Sequence, residues 1–415
     1  MTAQTFASFE NMLKDYMPYE LLKEELTKRD YFLLKVEKDD KWTGGPLQVP
    51  FRQGKASSMA FAQLTAEPDV VEQRNLRGEV AGYKELWGTM VFNDHDLHRH
   101  GDMEKSFLKI LPDTIEDFVS DMKETVSINL LNGAHIASVT GVAAPNGAIG
   151  EVDIDRPARL EIGQFLDVGI VGTLRTSGYV QSVDISLKRI VLRANKDLTG
   201  VLDLDAAGVL ATDKLFIRGA ITVGNTFTSL KDQFLSLANG GSANLFGVPK
   251  LSAPHLQTVN IDGSGITAAN ILAQTFDAYN ETRTLGKGAP TDVVMSFKHL
   301  GSVMKALELA REYTGVQSSA NVYGWTEIDI VGVKGKLKFV GVQEMDDDVI
   351  YMIDWRGIKL HSNGMFERRQ NPEGNRSFYE VRASTGYQYF VDTRFFGELV
   401  VNKPSHQGVI HTIAY

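Results

Sequence analysis

The densest run of metal-ligating side chains is Asp94-His95-Asp96-Leu97-His98-Arg99-His100-Gly101-Asp102. Imidazoles and carboxylates are donors that divalent transition metals accept. The run therefore defines one hypothesis, a metal-dependent enzyme built on His95, His98 and His100. Its spacing is not that of two histidines one helical turn apart with a glutamate base between them. Arg99 also sets a fixed positive charge among the donors. The run reads as a polar turn. Asp346-Asp347-Asp348 raises calcium, but a calcium loop needs alternating oxygens, a sharp glycine turn and a late glutamate. Here Val349-Ile350-Tyr351 follow, so the triad reads as a solvated turn before a strand. Gly286-Lys287-Gly288 lacks the phosphate-loop spacing, and Gly263-Ser264-Gly265 lacks that of a nucleophile elbow. No carboxylate pair stands out as an acid/base couple. The expectation is no catalytic residue, no bound metal and no cofactor.

The chain around these runs has 415 residues, 43% hydrophobic and 23% charged, ordinary values for a soluble globular protein. It contains no cysteine, which removes disulfides and thiolate chemistry. Lys plus Arg is 43 and Asp plus Glu is 52, a net charge of −9. An acidic balance argues against a tight sequence-independent grip on nucleic acid. No signal-peptide pattern opens the chain, and no apolar run approaches the ~18 residues of a spanning helix. The expectation is synthesis in a cytoplasm without membrane contact.

The elements follow from periodicity. Residues 7–38 carry Phe9, Leu13, Met17, Leu21, Leu22 and Leu26 at helical spacing. Trp42-Thr43-Gly44-Gly45-Pro46 breaks that run. Leu47, Val49 and Phe51 then alternate with Gln48, Pro50 and Arg52, and Pro50 marks an edge strand or a lone ribbon. Tyr83 to Phe92 is a second extended stretch, so a protruding hairpin with a long polar connection is expected. An isolated hairpin is marginal in water and needs a partner surface. A capped helix is expected over 113–131, starting after Pro112 with Asp113 and Glu116 and ending at Asn132-Gly133. Residues 160–222 show short strand-like runs separated by breakers, the pattern of a small barrel or sandwich. Helices are expected over 267–281 and after Met295. From Trp325 onward the chain reads as strands, including 387–392 and 395–401 as separate ones.

The order of these pieces resembles the major capsid proteins of tailed bacteriophages, of the Hong Kong ninety-seven type. The stretches that carry the resemblance are 42–51 for the opening of an extended loop, 111–118 for the start of a spine helix, 159–168 for the opening of a β insertion, and 244–247 with 290–295 for an axial domain. The resemblance implies an α+β fold with an N-terminal arm (1–42), an extended loop hairpin (43–98), a peripheral domain (99–158 and 325–385), an inserted β-barrel-like domain (159–222) and an axial domain (223–324 and 386–415). It implies a structural, self-assembling subunit that forms the hexamers and pentamers of an icosahedral head around double-stranded DNA, without sequence-specific binding. Implied partners are further copies of itself, a portal, separate scaffolding and possible decoration proteins; the arm-like helix begins close to Met1, so a fused scaffolding segment is not expected. The place of action is the virion, after assembly in a host cytoplasm. In the loop, Phe51, Met59, Phe61 and Trp87 are the candidate apolar anchors between subunits, or for Phe61 and Trp87 within the hairpin, and Arg52, Arg74 and Arg77 are the charged partners. Lys55 is the loop lysine; nothing identifies a cross-linking partner for it, and no cross-link is expected. Arg368, Arg369, Arg376 and Arg382 form a basic stretch, read as a subunit contact in preference to a solvated face. An encapsulin-like compartment is the alternative with the same architecture.

Overall fold

A computed structural model describes residues 31–39, 41–42, 45–52, 75–80, 82, 84–93, 103–142, 149–252, 254–286, 288–314, 327–332, 335–362, 367–368, 379–383 and 386–414. In chain order, helix α1 (Tyr31–Lys35) and strand β1 (Glu37–Asp39) precede β2 (Leu47–Arg52), β3 (Asn75–Val80) and β4 (Lys84–Asn93). Helix α2 (Met103–Asn132) leads into β5 (His135–Gly141), β6 (Glu151–Ile154), β7 (Phe165–Ile170), β8 (Thr173–Asp184), β9 (Arg189–Arg193) and β10 (Lys214–Ile217). Next come α3 (Leu230–Phe234), β11 (Asn244–Leu245), β12 (Val248–Pro249), β13 (Val259–Asp262), α4 (Ile271–Gly286), β14 (Asp292–Met295) and α5 (Phe297–Thr314). The remainder is extended: β15 (Glu327–Gly332), β16 (Gly335–Gly341), β17 (Ile350–Ile353), β18 (Ile358–Ser362), β19 (Glu367–Arg368), β20 (Tyr379–Ala383), β21 (Gly386–Val401) and β22 (Gly408–His411). The class is α+β. No helix among the described residues is long and apolar enough to cross a membrane.

The chain divides into two compact units. One takes in Lys84–Ser229 and Gly364–Gly397, the other Tyr31–Tyr83, Leu230–Asn363 and Glu398–Tyr415. In the first, β4 pairs antiparallel with β21 from Lys84↔Gly397 to Asn93↔Gln388. Met122 of α2 is buried, and Gly88 of β4 lies where an added Cβ would come 2.6 Å from Phe118 Cζ and 2.7 Å from Met122 Sδ. The helix ends at Gly133, in the left-handed region at φ 105, whose N–H donates to Asn129 O at 3.2 Å. Strands β10-β5-β6-β9-β8-β7 then close into a six-stranded barrel. Ile136, Val139, Val152, Ile154, Leu166, Val168, Val180, Ile190, Leu192 and Leu215 fill its interior.

Two expectations change here. The helix begins at Met103, so Pro112 lies inside it. The run Met103 to Leu111 consists mostly of strong helix formers, and the helix extends through it although an interior proline costs ~3 kcal/mol. The barrel also starts at His135 instead of 159, because β5 and β6 supply two of its six strands. Ala137, Ser138 and Thr140 give β5 a weak apolar alternation that does not announce a strand.

The second unit is built on a mixed six-stranded sheet, β13-β22-β17-β14-β16-β15. Helices α4 and α5 cover it with Ile271, Ala278, Leu300 and Val303, packed against Val293, Met295, Phe339, Ile350, Met352 and Ile410. β22 lies between β13 and β17, so the C-terminal segment is interior to the sheet. Strands β15 to β18, expected in the peripheral domain, belong to this unit, since β16 pairs in parallel with β14. α4 approaches β22 closely: a Cβ at Gly408 would lie 2.2 Å from Thr282 Oγ1. The expected helix over 7–38 lies outside the described residues up to 30. Its end is replaced by β1, which pairs in parallel with β18. Phe32 and Leu33 of α1 are fully buried, and the Tyr31 hydroxyl donates to Asp292 Oδ2 at 2.9 Å.

Candidate functional site

The ribbon β2–β3 is the element on which assembly was expected to turn. Its strands pair from Leu47↔Val80 to Arg52↔Asn75. The expected partner of 47–51 was the stretch 83–92; instead β3 takes that place and β4 pairs elsewhere, with β21. β2 has a neighbour on one side only among the described residues, the situation in which Pro50 is tolerated in a strand. Val49 and Phe51 point inward and Pro50 outward, as the alternation requires.

The base of the ribbon is fixed within its own unit. Val49, Phe51 and Val80 pack with Trp42, Leu245, Val248, Leu256 and Val400. The Trp42 indole N–H donates to Gly45 O at 2.8 Å. On the outer side of β3, Glu79 N–H donates to Phe246 O at 3.0 Å. Phe246 and Gly247 form the tight turn between β11 and β12, both in the left-handed region at φ 48 and 83. Residues 53–74 connect the two strands and lie outside the described residues, as do Lys55, Met59, Phe61 and Arg74.

Phe51 is 2% exposed and serves the core of its own unit. Arg52 is the last residue of β2, opposite Asn75, and Arg77 is exposed opposite Pro50. In the other unit, Trp87 is 43% exposed on the outward face of β4, in line with Thr89 and with Val91 at 47%. Across the strand pair Arg394 lies over the Trp87 ring, 5.6 Å from its centroid, and over Phe396 at 5.1 Å. The Trp87 indole donates to Glu85 Oε2 at 2.8 Å, and Glu85 lies 3.6 Å from Arg394. The result is an exposed face with an aromatic ring, an aliphatic side chain and a guanidinium held in place. Arg368 stands on β19 opposite Thr393 and Arg382 on β20 opposite Tyr387, both on strands that pair with β21. Arg369 and Arg376 lie outside the described residues.

Of the polar runs that raised enzymatic chemistry, 94–102 lies outside the described residues. In Asp346–348, Lys231 Nζ stands 2.7 Å from Asp348 Oδ2 and 4.0 Å from Asp346 Oδ2, and His299 Nε2 contacts Asp347 O at 2.6 Å. The triad is thus tied to its own unit by an ion pair and a backbone contact. Beside it, burial and then the neighbouring carboxylates push the Tyr351 hydroxyl well above its ordinary range. Among the described residues no three His, Asp or Glu side chains converge to hold a metal ion. A buried charge that sequence reading missed is Lys250, whose ammonium donates to the carbonyls of Asp232 and Leu235, both at 2.7 Å.

No protein-family model and no curated protein matches the chain. Several solved structures are similar to it along most of its length. The capsid of cyanophage A-1(L) covers 92% of this chain and 91% of its own at 9% identity, with a TM-score of 0.46. The capsid of a native GTA particle covers 94% and 91% at 10% identity, with a TM-score of 0.45. The holo-SrpI encapsulin complex of Synechococcus elongatus covers 93% and 88% at 7% identity, with a TM-score of 0.39. Similarity of this size assigns no activity, which has to rest on the chain's own geometry.

Proposed function

We propose that this chain is the building subunit of a closed protein shell of the tailed-phage head kind, a structural protein that does no catalysis. The observation that carries the reading is the ribbon β2–β3. Its base is locked by Trp42, Phe51 and Phe246, while its strands lead into the long polar connection 53–74. A connection of that length, launched from a rigid base, is far beyond the usual loop and belongs with binding segments. Lys55, Met59, Phe61 and Arg74 on that connection, with exposed Arg77, are the contacts to a neighbouring copy. The outward face of β4 with Trp87 and Val91 is a second contact surface, and Arg368, Arg369, Arg376 and Arg382 a third.

Identical copies in closed symmetry make many modest contacts act together. Hexamers and pentamers of an icosahedral head follow, with double-stranded DNA inside. Net charge −9 disfavours a tight grip on that DNA. Scaffolding, portal and decoration proteins would be separate chains, the virion is the place of action, and assembly precedes it in a host cytoplasm. The encapsulin-like alternative is separated by gene neighbourhood: terminase and portal genes mark a phage head, a cargo enzyme a compartment.

The test is to replace 53–74 by a two-residue Asn-Gly turn, which keeps both strands and the core they form. The expected product is a folded subunit, with the far-ultraviolet spectrum of the natural chain, that makes no shells in electron microscopy. Normal shells from that variant overturn the reading.

A further inference from the structure

We propose that the six-stranded barrel couples copies of this chain head to tail: the cation-rimmed apolar turn β7–β8 of one copy seats on the acid-rimmed loop after β9 of the next. Turn residues are ordinarily polar. Here Ile170, Val171 and Leu174, in and beside the β7–β8 turn, are 42%, 57% and 53% exposed. Val223, 73% exposed, joins them. Gly172 N–H donates to Ile221 O at 2.8 Å, and a Cβ at Gly172 would lie 3.3 Å from Val223 Cγ2. Four apolar side chains on one fixed turn make a patch of the kind that interaction sites show. Its surroundings are positive. The runs 168–183 and 214–231, which carry the patch, contain no Asp or Glu in a chain of net charge −9. Arg175 is exposed and Lys214 stands opposite Gly169. The adjoining carboxylate, Asp213, is 1% exposed and lies 3.8 Å from Arg175.

The complementary surface lies on the other side of β8, which pairs with β7 along one edge and β9 along the other. The chain leaves β9 through a tight turn in which Asn195 N–H donates to Thr199 O at 3.2 Å, and Val201 returns opposite Arg193. Leu202 then packs on Gly178, and Leu204 is fully buried in the barrel core. On this fixed loop Val201 is 62% exposed, and Asp197, Asp203 and Asp205 are exposed with it, against Lys196. Charge chooses how two copies meet. Turn on turn sets Arg175 against its own copy, and loop on loop sets three aspartates against three; turn on loop attracts. The β8–β9 turn also shows Ile185 and Leu187, 66% and 65% exposed, but Asp184 and Lys188 flank them and favour neither sign. A contact between two different surfaces of identical copies repeats, and closes into a ring where the rotation between copies permits. Exposed ion pairs are weak, and four side chains fall short of the ~800 Å² per partner that holds two free copies together. The contact therefore acts where other contacts already hold copies side by side, and in that it rests on the shell-subunit reading above.

The natural chain has no cysteine, so a pair of single variants reads the contact directly. Val171→Cys and Val201→Cys full chains are assembled together, treated with a short bismaleimide and run on a denaturing gel. Both positions are exposed, so each variant should keep the natural melting temperature. The mixture is expected to give covalent dimers, and either variant alone none. Adding Asp205→Lys to the Val201→Cys chain should lower the dimer yield about two- to fivefold, the span of an exposed ion pair. Salt should lower it in the mixture with natural charges. Cross-linking of either variant with itself means that like meets like and overturns the coupling, and a yield indifferent to both Asp205→Lys and salt overturns the role of charge. Microscopy scores shells in the same samples. Shells without dimers overturn the coupling and leave the shell reading standing. A mixture that forms no shells fails the shell reading, and is then cross-linked at high concentration, where missing dimers overturn the coupling as well.

Discussion

Gly78 and Phe246 are packed so closely that position 78 has no room for a side chain. A Cβ there would lie 3.0 Å from Phe246 Cβ, 3.2 Å from its carbonyl oxygen and 2.7 Å from Phe51 Cε2. Phe246 cannot retreat, because that carbonyl accepts from Glu79 N–H and its backbone sits at φ 48 in a tight turn. Gly78→Ala should therefore cost about 1–3 kcal/mol, the range for overpacking a well-filled site. Urea unfolding should show a lowered midpoint, and Gly78→Val a larger drop. An unchanged midpoint in both would mean the ribbon base is looser than this geometry.

The alternation of Leu47, Val49 and Phe51 is legible in the sequence, and so is Pro50 as the mark of an edge. The partner strand is not. Asn75-Leu76-Arg77-Gly78-Glu79-Val80 has only two apolar residues, and Gly78 is required by a residue remote in sequence. The same distance hides which aromatic faces inward. Phe51 and Trp87 read alike along their strands, but Phe51 meets Leu245, Leu256 and Val400, whereas Trp87 meets Arg394 on an open face. β21 reads as two strands because Thr393 and Arg394 look like a polar break, yet they pair with Gly88 and Trp87 within one continuous ladder. The helix face of α2 toward its C-terminus, the turn at 346–348 and the strand content after Trp325 needed only local pattern and were readable, but the triad is half-buried against Lys231 and not solvated as its sequence suggests.

Consecutive residues of β4 should separate assembly from stability. Trp87 is on the exposed face, and its replacement by alanine removes a cation–π contact worth roughly 0.5–1 kcal/mol at such sites. Trp87→Ala should unfold within about that margin of the natural chain yet assemble poorly, read by sedimentation and microscopy. Gly88 faces Phe118 and Met122 on the other side. Gly88→Val should lower thermal stability by about 1–3 kcal/mol before any question of assembly arises. Shells at normal yield from Trp87→Ala would remove the β4 face from the contact surfaces.

The aspartate triad should behave as an ion-paired turn. Lys231 lies between Asp348 and Asp346, and removing it leaves those carboxylates facing each other beside buried Tyr351. Lys231→Met should destabilise the unit by about 1–3 kcal/mol, since one partner of a half-buried pair is lost and the other charges stay. Calcium or a chelator should leave the melting temperature of the natural chain unchanged. A clear rise with calcium would restore the loop to the metal sites.

Lys250 gives the pH dependence a definite sign. Burial, opposed only by Asp232, pulls its ammonium down from 10.5 to about 8. The unfolded chain still holds that proton up to its ordinary value. Between about 8 and 10.5 the unfolded state therefore binds more protons than the folded one at this residue, and stability rises with pH across that window. Below about 8 the lysine is charged in both states, and its burial penalty is fully present. Lys250→Met should remove this rising contribution. It should also lower stability at neutral pH, because the carbonyls of Asp232 and Leu235 lose their donor. Urea midpoints measured through the window for both chains check this. The difference between them, natural minus variant, should grow as pH rises; a constant difference would place the Lys250 ionisation outside the window and its ammonium in contact with water.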